Sequence, residues 1–537
     1  MGGYQMKIER ILIEDQMAPI GLDEKKPAFS WLLTAEEGEQ NLMQSACRIV
    51  VRTGEDTVWD SGKMETGVST GIGYEGEALQ PCTKYEVKAE VWDNHGGKAE
   101  AESSFETGLM DSLYAAWEGA EWIGAPHATV CAENRGVFTI ESEFRMEGGK
   151  GEAGIVFGAN DFRLNDHTKN ELGMEGENYI RYAVCLEEGD ARLEIYRVGY
   201  APEDTAEKPF AVTKLVNWKE KTQEILTPEN ANAFHKLTVE VDGNVAYAYV
   251  DGILVDAIEE HGFFGTKVSG RQLNPRGNND VLPYPRLNEI GFYAGKGTTG
   301  YFKNLTVRNV RKPSAEIVRE TPEGRLDGEK SIFADQIPVE NGYFKVEDSQ
   351  ITADPSHHSI PMLRSCISCQ KEKKLVSARL YITARCIYDC RINGQEITED
   401  LLRPGLTQYD HRMNYQTYDI TGLMKPGRNG IGVALASGWW SEAQTFVVKN
   451  FNYFGDKESL LAKVVMKYED GSREVFGTNT EDWKYFGEGP YLFSSYFAGE
   501  QYDARRAEVY ETYSLPEFDD STWEKPVVVD TVMIEEF

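Results

Sequence analysis

An aromatic and polar run between Arg403 and Trp440 supplies the side chains best suited to hold a neutral ligand. The run reads RPGLTQYDHRMNYQTYDITGLMKPGRNGIGVALASGWW. Tyr and Trp rings combine an apolar face with a polar edge, which suits them to pack against a sugar ring. We therefore take Tyr409, Tyr415, Trp439 and Trp440 as candidate sugar contacts. The alternative, that the same rings pack the protein's own core, stays open.

Carboxyl groups are the second kind of residue that could do chemistry here. Glycosidases use two positioned carboxyl groups, but 88 Asp and Glu residues are too many for composition to select a pair. The stretch Glu240-Val-Asp242-Gly-Asn-Val245 begins like the strand motif E-x-D-x-x-E of some jelly-roll glycosidases and lacks its closing carboxylate. An Asp before a Gly is typical of a turn. Nucleophile-elbow, phosphate-loop, zinc-protease and dinucleotide motifs are missing from the sequence, so we assign no catalytic residue and no cofactor.

Metal ligands are the third possibility. Cys366, Cys369, Cys386 and Cys390 are spaced superficially like a zinc site. Both pairs lie in strand-like runs, and in a strand Cys366 and Cys369 point to opposite faces, so buried reduced thiols are the better interpretation. The stretches 158–166 and 274–280 are rich in Asp and Asn and offer oxygen ligands for calcium, but their spacing fits no defined calcium loop. We predict no metal site.

The charge of the chain limits its partners. A net charge of -32 repels nucleic acid and acidic membranes, whereas a neutral partner such as a sugar is not repelled. The N-terminus has no secretory signal pattern, and no stretch approaches the roughly 20 apolar residues of a membrane span. These features lead us to expect a cytoplasmic protein without nucleic-acid or membrane partners.

The elements that must position these residues are strands. Short alternating runs such as KYEVKAEVW and HKLTVEVDG, separated by Gly, Asp and Asn turns, predict an all-β chain of consecutive sandwiches. Three blocks are expected: a fibronectin type III-like sandwich over 5–112, a laminin-G or concanavalin-like jelly roll over 125–312, and a third sandwich over 332–537. The charged stretch 313–331, with Pro and Gly, is interpreted as a linker.

Several motifs of the third block resemble a known family. SARLYITARCIYDCRINGQEI (377–397), the aromatic run, GEQYDARRA (499–507) and PEFDDSTWEKPVVV (516–528) are similar to the N-terminal accessory β-sandwich of bacterial α-L-rhamnosidases of glycoside hydrolase family 78. In the first block, VWDSGKM (58–64) and YEVKAEVWDNHGG (85–97) resemble the domain that opens many of these enzymes. Tyr502, within the third of these motifs, is added to the candidate sugar contacts.

The resemblance implies a parent enzyme that hydrolyses terminal α-L-rhamnosyl residues by an inverting mechanism with two carboxyl groups. Its catalytic (α/α)₆ barrel has no counterpart in the sequence, so we expect an inactive accessory region whose partners are a missing C-terminal catalytic domain and a rhamnose-containing glycan or glycoside. A stand-alone carbohydrate-binding protein and a glycosidase with unrecognised carboxylates are the alternatives.

Overall fold

The computed structural model describes most of the chain in separate stretches. The described residues are 6–35, 41–126, 137–160, 177–187, 190–200, 204–216, 225–242, 245–255, 268–269, 287–310, 316–326, 331–355, 359–442, 454–455, 457–495 and 499–529.

The first sandwich packs a sheet of order β1-β2-β5 on a sheet of order β4-β3-β6-β7. In β3, Cys47, Ile49 and Val51 alternate toward the core and are fully buried, as a half-buried strand requires. Trp31 joins them, and its ring N–H donates to Gln44 Oε1 at 2.9 Å, which satisfies the one polar atom it buries. The strands in this part of the chain are β1 (Met6–Ile13), β2 (Ala28–Ala35), β3 (Gln44–Thr53), β4 (Asp56–Asp60), β5 (Ile72–Gly73), β6 (Lys84–Asp93), β7 (Lys98–Glu106) and the short β8 (Ile123–Gly124) that follows the sandwich.

The middle module is a larger sandwich with its own core. One sheet has the order β13-β12-β11-β10-β18-β24, and the other has β16-β15-β14-β9-β19-β23-β22 with β17, β20 and β21 beside it. The strands are β9 (Val137–Met146), β10 (Gly151–Ala159), β11 (Tyr179–Glu187), β12 (Asp190–Val198), β13 (Phe210–Leu215), β14 (His235–Asp242), β15 (Val245–Val250), β16 (Ile253–Val255), β17 (Val268–Ser269), β18 (Glu289–Ala294), β19 (Thr299–Phe302), β20 (Leu305–Asn309), β21 (Glu316–Glu320), β22 (Val339–Glu340), β23 (Tyr343–Glu347) and β24 (Gln350–Ala353), with helix α1 (Pro322–Leu326).

Strand pairing carries the middle module past the linker expected at 313–331. Within that stretch, β21 pairs with β20, and α1 follows it. Further along the chain, β23 pairs with β19 and β24 pairs with β18. The paired strands therefore run from Val137 to Ala353. In β21, Ile317, Val318 and Glu320 are buried and Arg319 is exposed, so this charged stretch contributes a strand with buried apolar residues to the module.

The third sandwich is interrupted by the middle module. Strand β8, which precedes the module, pairs with β31 and β36, which follow it. The two sheets have the orders β28-β27-β30-β25-β33 and β29-β26-β31-β8-β36, with β32 beside β31. The elements are β25 (Met362–Cys369), β26 (Leu375–Arg385), β27 (Ile387–Ile392), β28 (Gln395–Glu396), β29 (Gln416–Asp419), β30 (Gly427–Ala436), α2 (Gly438–Ser441), β31 (Ser459–Tyr468), β32 (Arg473–Gly477), β33 (Lys484–Phe486), β34 (Tyr491–Ser495), β35 (Gly499–Tyr502), α3 (Ala507–Thr512) and β36 (Val527–Val528).

The predicted all-β fold class is confirmed, because strands dominate the described residues and build sandwiches. Among the residues that the structure describes, helical structure is confined to short pieces, including single 3₁₀ turns at Tyr114–Trp117, Glu147–Gly149, Thr421–Leu423 and Ala504–Arg506. Within the described part of the chain, no helix has the length and apolar character that crossing a bilayer requires.

Candidate functional site

Four of the five aromatic candidates lie where the first and third sandwiches meet. Tyr409 is fully buried and Trp440 is 5% exposed, whereas Trp439 and Tyr415 are partly buried against the same group of side chains. We call this group the junction cluster. Its buried members are Leu109, Trp117, Ala120, Trp122, Tyr381, Tyr409, Met413, Trp440, Phe454, Leu461 and Val465.

The rings of the junction cluster pack against one another. The ring centroid of Tyr409 lies 5.0 Å from that of Phe454, in an edge-on arrangement, and 5.8 Å from that of Trp440. The Tyr409 hydroxyl donates to the Gly405 carbonyl at 2.7 Å. Edge-on and tilted pairs at these distances stabilise a core beyond their buried area. Tyr409 and Trp440 therefore act as core residues, and neither presents a ring face to a ligand.

Tyr415 joins the two sandwiches through its hydroxyl group. The hydroxyl accepts the N–H of Leu109 at 2.8 Å and donates to the carboxylate of Asp23. Its ring meets that of Trp117 edge-on at 5.8 Å. Both polar contacts come from the first sandwich, so the side chain is engaged as a structural bridge.

Ion pairs reinforce the same junction. Arg379 holds the Glu106 carboxylate with two hydrogen bonds of 2.6 Å, one from Nε and one from a terminal nitrogen. Glu118 receives Lys463 at 2.8 Å and Arg473 at 2.6 Å. The hydrogen bond from Arg473, followed by that from Lys463, lowers the pKa of Glu118 to about 2 against the cost of burial. The first and third sandwiches are thus fastened by packing and by charge.

Tyr502 lies apart from the other candidates. It ends strand β35 in the β34–β35 hairpin and is 46% exposed. Its ring meets the Tyr491 ring edge-on at 4.9 Å. The structure therefore divides the five predicted contacts into four at the junction and one at a separate exposed hairpin.

The cysteines, and the residues that were considered as metal ligands and set aside, lie at different places in the chain. Cys369, Cys386 and Cys390 are buried in the core of the third sandwich, and burial raises the pKa of Cys386 and Cys390. Cys366 is partly exposed on the same strand as Cys369, and Arg428 Nε lies 2.9 Å from its sulfur. The calcium candidates at 161–166 and 274–280, and the turn that follows Asp242, lie outside the described residues.

A polar cluster that sequence reasoning missed lies on the middle module. Strand β11 alternates between core residues, including Ile180 and Tyr182, and residues of the opposite face, including Tyr179 and Arg181. Neighbouring strands add acidic and aromatic side chains to that opposite face. We call this set the arginine–tyrosine face: Glu152, Tyr179, Arg181, Glu194, Tyr196 and Tyr293.

Arg181 is the centre of the arginine–tyrosine face. Its guanidinium carbon lies 3.7 Å from the ring centroid of Tyr293 and 4.2 Å from that of Tyr196. A terminal nitrogen lies 4.0 Å from Glu152, which accepts the Tyr293 hydroxyl at 3.1 Å. The Tyr196 hydroxyl donates to Glu194. A guanidinium stacked between two tyrosines is held rigidly, with its donors in a fixed plane.

Two polar atoms of this face are buried without a hydrogen bond. Arg181 Nε and Glu152 Oε1 are buried and find no hydrogen-bond partner among the described residues. Burial is also the main cause that raises the pKa of Glu152, although Arg181 opposes it. A buried donor and a buried acceptor next to tyrosine rings suit a polyhydroxylated ligand, whose hydroxyl groups both donate and accept.

The sequence carried only a weak signal for this face. Arg181 lies directly opposite Tyr196 on β12, and Tyr293 lies opposite Gly154 on β10. The alternation in YIRYAVCLE predicts that Tyr179 and Arg181 share a face. The contribution of Tyr293, more than 100 positions away, depends on strand register that no local pattern reveals.

Two family models match the chain. Residues 373–535 match the α-L-rhamnosidase N-terminal domain, and residues 8–111 match the Rha78A-like N-terminal immunoglobulin domain. Both lie where the sequence motifs pointed, so the predicted resemblance is confirmed.

Known proteins extend the similarity across the middle module. An α-L-rhamnosidase of Streptomyces avermitilis is 27% identical over 528 residues, which are 95% of this chain and 44% of that protein. An α-L-rhamnosidase of an Alteromonas species is 34% identical over 183 residues, or 33% of this chain and 19% of that protein. The chain thus spans less than half the length of these curated relatives.

Solved structures agree on the fold. The crystal structure of the Streptomyces avermitilis α-L-rhamnosidase complexed with L-rhamnose matches with a TM-score of 0.55 and 21% identity, covering 99% of this chain and 46% of that one. The native Aspergillus terreus α-L-rhamnosidase matches with a TM-score of 0.50 and 16% identity, covering 98% and 35%. At these identities the likeness concerns the fold alone.

Proposed function

We propose that this chain, which carries the two N-terminal domain types of the α-L-rhamnosidases, is the accessory region of a glycoside hydrolase and holds glycan on its middle module. The observation that carries glycan binding is the arginine–tyrosine face, where a stacked guanidinium, tyrosine rings and two carboxylates converge. Sugar rings pack on aromatic side chains while their hydroxyl groups exchange hydrogen bonds with charged groups.

The junction cluster supports the accessory part of the proposal. Aromatic side chains of the third sandwich's run pack in the junction cluster, and Tyr415 among them hydrogen-bonds to the first sandwich. The result is a rigid base into which the middle module is inserted between β8 and β25. Such a base can hold a glycan-binding module in a fixed position relative to a catalytic domain.

The parent enzyme, in this proposal, removes terminal α-L-rhamnosyl residues by inversion, with one carboxyl group protonating the leaving oxygen and another activating water. This chain does not supply that pair. We expect the purified chain to give no release of nitrophenol from 4-nitrophenyl α-L-rhamnopyranoside above a buffer control. Turnover that co-purifies with the chain and is abolished by one Asp or Glu substitution would establish the self-sufficient glycosidase instead.

Glycan binding is tested by calorimetry with L-rhamnose and rhamnosylated oligosaccharides. We expect saturable binding that Arg181→Met weakens about tenfold or more, because charged hydrogen bonds to the ligand are lost. Arg319→Met is the matched control, since Arg319 is 67% exposed on the other sheet of the same module. Equal affinity of the Arg181→Met variant and the parent chain would refute the assignment of the face.

The stand-alone carbohydrate-binding protein is the second candidate function, favoured by the same face. Glycan affinity is expected in both cases. The two functions differ in whether a catalytic domain of the rhamnosidase family binds the junction of the first and third sandwiches, which co-purification with such a domain measures.

A further inference from the structure

A cleft of about 520 Å³ opens between the first and third sandwiches, beside the junction cluster. Its walls come from the edge of the first sandwich near β6 and from β26, β31 and the turn before β32 in the third sandwich. The volume falls within the range of pockets that hold small ligands, roughly 300–1,000 Å³. None of the aromatic candidates from the sequence lines it.

Positive charge dominates the walls of this cleft. Four cationic side chains and one carboxylate line it, in a chain whose net charge is -32, and Glu118 and Asp419, which pair with Arg473 and Arg379, reduce the local excess of positive charge. The five charged residues are Lys84, Glu106, Arg379, Lys467 and Arg473. In the whole chain, acidic residues outnumber basic ones by 88 to 56. The excess of cationic side chains in this cleft therefore does not follow from the overall composition.

The two lysines of the cleft are not engaged in ion pairs within the described part of the chain. Lys467 donates one hydrogen to the Cys82 carbonyl at 2.6 Å, which leaves two ammonium hydrogens. Lys84 is exposed at the cleft. Within the described part of the chain, neither lysine has a carboxylate within ion-pair distance. By contrast, Arg379 and Arg473 are fixed by Glu106 and Glu118 and contribute to the cleft mainly as oriented positive groups.

We propose that this cleft binds the anionic group, a carboxylate or a sulfate ester, of an acidic sugar. Lys84 and Lys467 supply the charged donors, and Arg473 adds positive potential from the β31–β32 side. That the ligand is a sugar rests on the proposed function, whereas the preference for an anion rests on the charges alone. The accessory region would then hold acidic rhamnose-containing glycans at two places.

The experiment is calorimetry of the full chain with D-glucuronate, with glucose 6-sulfate and with neutral glucose, at low and at physiological ionic strength. We expect the anions to bind, glucose not to bind, and the affinity to fall as salt rises, because an exposed charge pair is screened. Binding of glucuronate alone assigns the site to carboxylates, and binding of both anions assigns it to anionic sugars in general. Absence of binding by both, or equal affinity for glucose, would overturn the proposal.

Variants locate the site. Lys467→Met and Lys84→Met are each expected to weaken anion binding about tenfold or more. The Lys467→Met change removes a hydrogen bond at the junction and could disturb it. Lys84 is exposed, so the Lys84→Met variant is expected to keep the fold and tests the site independently. Lys525→Met is the control, since Lys525 is an exposed lysine of the third sandwich outside the cleft. Unchanged affinity in the Lys84→Met, Lys467→Met double variant would refute this location.

The outcome separates this proposal from the glycan-binding function. Arg181→Met is expected to leave glucuronate affinity unchanged, because the arginine–tyrosine face belongs to another module. If neutral rhamnosides bind and anions do not, the cleft proposal fails alone. If anions bind and neutral rhamnosides do not, the arginine–tyrosine face fails and the cleft stands.

Discussion

The Arg379–Glu106 pair is a largely buried ion pair between the third sandwich and the first. The two side chains are 12% and 16% exposed, so each charge relies on the other for solvation. Glu106→Gln leaves Arg379 with the more exposed Asp419 as its one remaining acidic partner among the described residues. We expect the free energy of unfolding to fall by about 3 kcal/mol, the cost of breaking a buried pair on one side. Urea unfolding followed by tryptophan fluorescence measures this change.

Glu100→Gln is the control for that measurement. Glu100 lies on the same strand, is 55% exposed and faces Lys88 at 3.1 Å. A surface pair of this kind contributes about 0–1 kcal/mol. If the two variants lost equal stability, the junction pair would be no more important than a surface pair.

Glu118 makes the stability of the junction depend on pH. Its pKa is about 2 in the folded chain and 4.5 for the ordinary group, so folding favours the ionised form. A lowered pKa contributes stability that is fully present above pH 4.5 and is lost as the pH falls toward 2. We therefore expect the difference in Tm between the parent chain and Glu118→Gln to shrink between pH 5 and pH 3. A difference that stays constant over this range would show that the carboxylate charge has no role.

At the scale of elements, the close approach of β7's end to the aromatic run requires glycine at 108. A Cβ on Gly108 would lie 2.2 Å from the Tyr415 hydroxyl and 2.9 Å from the Gly21 carbonyl oxygen. The Tyr415 bridge must then shift. We expect Gly108→Ala to lower the free energy of unfolding by about 1–3 kcal/mol, as overpacking does, and thermal unfolding measures the loss.

Gly73→Ala is the matched control for the steric effect. Gly73 lies on β5 of the same sandwich, and a Cβ there would meet nothing within 4 Å. We expect its Tm to stay close to that of the parent chain. A comparable loss in both variants would attribute the effect to the glycine backbone rather than to contact with Tyr415.

At the scale of the whole molecule, the middle module has its own core, whereas the cores of the first and third sandwiches are linked by the junction cluster between them. The module core contains Leu193, and the core of the third sandwich contains Leu435; both are fully buried. Because separate cores unfold as separate cooperative units, we expect two calorimetric transitions. Leu193→Ala should lower the Tm of one transition and Leu435→Ala that of the other, because each change lowers the free energy of unfolding of its own core by about 2–5 kcal/mol. A single transition that both variants shift would contradict this division.

The sequence by itself determined the fold class and the family resemblance. Alternation of period two is a local property of a strand with one buried face, so runs such as YEVKAEVW predict strands without knowledge of their partners. The family motifs are likewise local strings of residues, and the matched models cover the blocks in which they were found. The sequence also singled out the aromatic run that contains Tyr409 and Trp440, although it left open whether these rings contact a sugar or pack the core.

Only the tertiary structure decided what that stretch does. An aromatic residue has the same local pattern whether it meets a ligand or its own protein, and here Tyr409 and Trp440 pack with Phe454 while Tyr415 contacts the first sandwich. The insertion of the module after β8 depends on a pairing between Ile123 and Leu460, and the arginine–tyrosine face joins Arg181 to Tyr293. Such contacts bring together residues that are more than 100 positions apart. Their formation depends on register and packing over the whole sheet, which no window of the sequence contains.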